Sequence, residues 1–164
     1  DHYDPKANII RLSESVYSST STAAIGVACH EAGHAIQFRQ EYAPAKFRMA
    51  IVPITNIGSR ISFPLILLGI VLSALSPMLA NLIYVGIACF ALSTIFQLVT
   101  LPTEYDASKR AIESIEYNNI LVGDEVVGAK KVLNAAALTY VAALAVSLMQ
   151  LLRLLLIFGG RRRN

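Results

Sequence analysis

At 164 residues the chain is one domain's worth of polypeptide, yet 55% of it is hydrophobic and only 15% charged, against roughly 25% charged in an average soluble domain. The deficit is local: Ile61 to Thr103 and Val132 to Leu152 contain no Asp, Glu, Lys or Arg. That distribution excludes both a water-soluble domain with one conventional core and a disordered chain.

The formal net charge of +3 rests on Arg161, Arg162 and Arg163, which follow an apolar segment and suit a lipid headgroup layer. No basic patch interleaved with aromatics occurs elsewhere, so nucleic acid is not an expected partner. Cys29 and Cys89 lie in different kinds of segment and give no disulfide framework.

In chain order, residues 1–60 form a first soluble-like block. Asp4-Pro5 signals a turn, and Asn8 to Leu12 reads as a short strand, which an extended substrate could join by strand addition. In the hydroxyl run Ser18 to Thr22, Ser21 or Thr22 is placed to cap a helix running from about Ala23 to Arg39. Ile25, Ala28, Cys29, Ala32 and Ile36 follow helical spacing and form its expected buried stripe. Residues 61–102 read as a transmembrane helical hairpin, broken at Ser76-Pro77 into spans near 61–76 and 80–101. Residues 103–131 form a second soluble-like block, opening with a helix from about Glu104 to Tyr117; Asp124 can cap the next helix. Residues 132–164 hold a third apolar run and the basic tail. That run either spans or ends in the interface with Arg153 snorkelling.

The chemistry is carried by His30-Glu31-Ala32-Gly33-His34, an H-E-x-x-H on the helix expected in the first block. Residues i and i+4 lie one turn apart on one face, so both imidazoles can reach a single metal ion. Glu31 sits to the side, where it can take a proton from an attacking water and pass it to a leaving amine. A catalytic zinc needs one further protein ligand. Positions 37 and 40 are Gln37 and Gln40, and the only other histidine is His2, so a carboxylate is the default. Glu104 and Asp106 are the strongest pair, and helical phase separates them. Glu104 shares a face with Ala107, Ser108, Ala111 and Ile115 and is expected to face the core, whereas Asp106 lies among Lys109, Arg110, Glu113 and Tyr117 and is expected to face solvent. A core-facing carboxylate wants a cation, which a metal would be; the competing role for Glu104 is a dipole-favoured place in its helix's first turn. Cys29 falls on the apolar stripe and reads as a buried thiol rather than a ligand. Tyr3, Tyr17, Tyr42, Tyr105 and His2 are all candidate donors to an oxyanion.

The stretches Asp4 to Ser13, Val27 to Gln37, Phe96 to Ser108 and Gly128 to Ala136 resemble the bacterial neutral zinc metallopeptidases of the YugP type. The resemblance covers nearly the whole chain. It implies a mainly α membrane protein of zincin-like character, with the catalytic helix, a short edge strand, the transmembrane hairpin and a third C-terminal membrane helix. It also implies an upstream portion, with another membrane helix, that this sequence does not include. More distantly the chain is similar to the HtpX-type and CAAX prenyl endopeptidases, whose third zinc-binding glutamate lies in a Glu-x-x-x-Asp helix. That likeness implies His30, His34 and Glu104 as ligands of one zinc ion and Glu31 as acid/base. Its fifth position is Ser108 here, a weaker support for a ligand histidine than Asp.

The expected function is therefore a membrane-embedded zinc-dependent endopeptidase. Its partners would be the lipid bilayer and a peptide or protein substrate, membrane-associated ones included. The expected location is the bacterial cell membrane, multi-pass, with the active site on the cytoplasmic side. The alternative is a zinc-binding scaffold without turnover, although retention of Glu31 favours catalysis. Metal transport is disfavoured, because the uncharged runs carry no His, Asp or Glu.

Overall fold

The computed structural model describes residues 1–160; the arginines at 161–163 lie outside the described residues. Helices dominate. The chain opens with an antiparallel pair, β1 (His2–Asp4) and β2 (Ile9–Arg11), in the register His2 to Arg11 and Tyr3 to Ile10. Asp4 makes the turn between them by accepting the backbone N–H groups of Lys6 and Ala7, and those bonds hold its carboxyl below the ordinary aspartate range. A short α1 (Glu14–Tyr17) leads to α2 (Thr22–Arg39). Ser21 caps α2, its hydroxyl accepting from the Ala24 N–H at 3.2 Å, as the hydroxyl run leads one to expect. Three long helices follow: α3 (Ala43–Leu72), α4 (Asn81–Tyr117) after a 3-10 turn at Pro77–Ala80, and α5 (Asp124–Gly159). Each is long and apolar enough to cross a membrane.

Two boundaries differ from the sequence reading. The first long helix starts at Ala43 and runs through Pro53 and Pro64, well before the span expected from residue 61. A proline removes one backbone hydrogen bond, but in a long apolar helix the remaining ladder and adjacent packing keep the segment helical. Likewise α4 passes through Pro102 without interruption, so the second apolar run and the helix bearing Glu104 are one rod. The strand His2–Asp4 and helix α1 are additions: three- and four-residue elements with no periodicity to announce them.

The chain divides into two compact units. Among the described residues, one comprises 1–47 and 100–141, the other 48–99 and 142–160. In the second unit, Ile66, Ile83, Ile87, Leu154 and Phe158 form the core. Gly86 permits a close approach there: a Cβ on it would stand 2.7 Å from the Ser62 carbonyl oxygen, and the Ser62 hydroxyl donates to the Gly86 carbonyl at 3.0 Å. A buried Thr94–Ser147 hydroxyl pair at 2.9 Å adds a second polar tie. Small residues and hydroxyl bonds are how helices associate where apolar surroundings offer no hydrophobic gain. The outward positions include Leu67, Leu68, Val85, Leu155 and Leu156, a surface for lipid tails rather than water.

In the first unit, Ile115, Leu121 and Ala129 form the core, with Ile25 and Cys29 of α2 packed against it. Yet the expected apolar stripe is not the most buried face of α2. The buried residues include Gly26, Gly33 and Gln37, which share a face with His30. The polar face is turned inward because the partners of its histidines lie on α4. Gly33 makes this possible, since any Cβ there would collide with the Ala107 backbone, whose carbonyl carbon would be 3.1 Å away.

Candidate metal centre

Phase along α4 explains the placement of Glu104. The same face carries Ala107, Ala111 and Ile115, each 0% exposed, and Glu104 itself is 2% exposed. Its Oε2 lies 3.1 Å from His30 Nε2 and 3.6 Å from His34 Nε2. One ligand atom from each of the three residues lies within 4.8 Å of the others.

The outer nitrogens of both rings are also engaged. His30 Nδ1 is 3.1 Å from the Ser108 hydroxyl, the residue four positions after Glu104. His34 Nδ1 is 2.9 Å from Gln37 Oε1. Gln37 is fully buried, and its amide nitrogen donates to the Thr103 carbonyl and to Asp106 Oδ2, both at 2.8 Å. Asp106 is also ion-paired with Arg110, which bonds Gln40 and lies over the Tyr42 ring. Two acceptors therefore fix which end of the Gln37 amide is nitrogen, so Oε1 must face His34 and His34 Nδ1 must be the donor.

That assignment tests the fit of a metal. With a proton on Nδ1, a neutral His34 presents Nε2 as an acceptor toward the Glu104 carboxylate. Two acceptors facing each other in a buried site are reconciled by a proton or a metal ion between them. A nitrogen, nitrogen, oxygen donor set with its outer nitrogens hydrogen-bonded is the chemistry zinc prefers. Ligand atoms around a tetrahedral zinc lie about 3.3 Å apart, given bonds of roughly 2.0–2.1 Å, and the observed 3.1 and 3.6 Å bracket that spacing. The residues fit the ion.

The chain matches, over residues 1–159, the family described as "Putative neutral zinc metallopeptidase". It belongs to that family. Within this zinc-peptidase family it is 46% identical over 165 residues to the "Putative membrane protease YugP" of Bacillus subtilis (strain 168), an alignment covering 100% of this chain and 71% of that protein. No solved structure matches the chain.

The structure also sorts the remaining candidates. Glu31 is 8% exposed and opens, with His30, Glu104 and Ser108, into a cavity of about 220 Å³. Asp106 points away from the ligand atoms, as its phase predicts, but into the Gln37–Arg110 network instead of open solvent. His2 begins β1 and stands outside the ligand group. Burial pushes the Cys29 thiol above its ordinary pKa, and it too stands outside that group. Of the oxyanion candidates, Tyr3 packs tilted against Phe38, Tyr17 is exposed, Tyr42 lies beneath Arg110 and Tyr105 lines a neighbouring cleft. The tyrosine that lines the cavity is Tyr140 of α5. The sequence reading missed it, and it missed Gln37. The signal for Gln37 was its spacing: three residues after His34, on the same helical face.

Proposed function

We propose that the protein is a membrane-embedded zinc endopeptidase in which His30, His34 and Glu104 hold one zinc ion and Glu31 is the general base. The observation that carries this reading is the convergence of three ligand atoms beside a cavity onto which Glu31 opens. Zinc bound by such a set supplies a Lewis acid that acidifies water and polarises a carbonyl. The Glu31 carboxylate takes a proton from the water whose oxygen attacks the peptide carbon. As the C–N bond breaks, the same carboxyl gives that proton to the amine nitrogen. His30 and His34 keep their orientation through Ser108 and Gln37, and Tyr140 is the candidate donor to the carbonyl oxygen as it gains charge. The division expected from sequence is part of the same proposal: catalytic segments in 1–60 and 103–131, a membrane hairpin in 61–102, and a C-terminal membrane helix in 132–164.

The site is assigned to the cytoplasmic side. Lys109, Arg110, Lys130 and Lys131 follow or precede the uncharged runs on the ligand side, and basic residues favour the cytoplasm. Along α5 the uncharged run Val132 to Leu152 is about 30 Å of helix, one bilayer thickness, which puts Arg153 at the opposite surface.

The test is casein cleavage by purified protein in detergent, with zinc measured by elemental analysis. Cleavage that stops with a chelator and returns with zinc is the expected result. Stoichiometric zinc with no cleavage of any substrate would point to the scaffold alternative.

A further inference from the structure

The cavity beside the metal centre has an uneven lining. Besides His30, Glu31, Glu104 and Ser108, it is lined by the apolar Val27, Leu133, Ala136 and Ala137, together with Tyr140 and Asp1. At about 220 Å³ it is larger than the roughly 150 Å³ apolar cavity that accepts a benzene ring. It therefore has room for a leucine- or phenylalanine-sized side chain with part of its backbone. Ser108 and Leu133 are shared with a second cleft of about 330 Å³, whose lining includes Lys109, Glu113, Glu116, Lys130 and Asn134. The apolar compartment thus gives way, across Ser108, to a charged one.

This change follows the helices themselves. On α4, Glu104 and Ser108 come directly after the last residue of the uncharged run, Thr103; on α5, Leu133, Ala136 and Ala137 fall just inside the run that begins at Val132. Within the first unit, then, the ligand atoms lie where uncharged helix meets charged helix on both rods. A peptide passing through would have apolar surroundings on one side of the reacting bond and charged surroundings on the other.

We infer that the site cuts peptide bonds at the border between an apolar stretch and a polar flank, with a large apolar side chain beside the scissile bond seated among Val27, Leu133, Ala136 and Ala137. The substrate class is the juxtamembrane segment of a membrane-inserted polypeptide. This rests on the proposed peptidase activity and adds to it where the bond lies and what flanks it.

The test uses the zinc-loaded full chain in nanodiscs. One substrate is a synthetic single-span peptide with polar flanks, its cleavage sites mapped by mass spectrometry; the other is casein. Cuts are expected within a few residues of the apolar–polar border of the peptide, and beside Leu, Phe or Met in casein. Ala136 is exposed on its helix, so Ala136→Phe narrows the compartment without entering the core. It should move the preference from Leu toward Ala by at least about tenfold in relative kcat/KM, with zinc content unchanged. Hydrolysis with scattered cuts, or an unchanged preference in Ala136→Phe, would overturn this inference and leave the peptidase reading standing. No hydrolysis of either substrate by zinc-loaded protein would overturn both.

Discussion

Gln37 is a buried amide whose three polar contacts each have a direction: its oxygen receives His34, and its nitrogen serves Thr103 and Asp106. Gln37→Leu keeps much of the volume and removes the acceptor for the His34 ring. Zinc affinity, measured by competition with a chromophoric chelator, should fall by about 10- to 100-fold. Unchanged affinity would mean that His34 is held by packing alone. Glu104 and Asp106, two residues apart, have opposite fates: one 3% exposed at its side chain against both histidines, the other 23% exposed and tied to Arg110. Glu104→Gln should therefore deplete bound zinc far more than Asp106→Asn, and equal depletion would mean that the two carboxylates share the metal. Tyr140→Phe should leave zinc in place and lower kcat by about a hundredfold, the usual cost of one lost oxyanion donor. A Tyr140→Phe enzyme at the parent rate would assign that role elsewhere.

The contact of α2 with α4 depends on one missing methyl group. Gly33→Ala would drive a Cβ into the Ala107 backbone, and neither helix can yield there without separating His30 from Glu104. A loss of about 1–3 kcal/mol of stability is expected, seen as a lower Tm and weaker zinc binding together; a variant as stable as the parent would contradict this packing. The sequence shows the H-E-x-x-H spacing, a helix cap at Ser21 or Thr22 and the inward phase of Glu104, because all three are local and follow helical geometry. It does not show that α2 turns its polar face inward. The stripe Ile25, Cys29 and Ile36 has ordinary amphipathic spacing, and only the partner helix reveals why Gly26, Gly33 and Gln37 are buried more deeply. Nor does it show that Pro53, Pro64 and Pro102 lie inside helices. Proline is a helix breaker by local rules, and continuity here comes from the apolar rods around it.

Across the whole molecule, the uncharged lengths of α4 and α5 continue into the segments that carry Glu104 and the cavity wall. In the proposed reading, the side on which the charged ends of these helices emerge is the side on which the site works. Lys109, whose side chain is 74% exposed, reports on that side. In a background with Cys29 and Cys89 replaced by alanine, Lys109→Cys should resist a membrane-impermeant maleimide in intact cells and react after lysis. Labelling before lysis would place the site outside.

The most direct test of the central claim compares zinc content and hydrolysis in one variant, Glu31→Gln. Glu31 opens onto the cavity beside the ligand group without belonging to it, so the substitution removes the base and leaves the ligands. The account predicts stoichiometric zinc with casein hydrolysis reduced by at least about a hundredfold. Hydrolysis near the parent rate, with zinc bound, would contradict it.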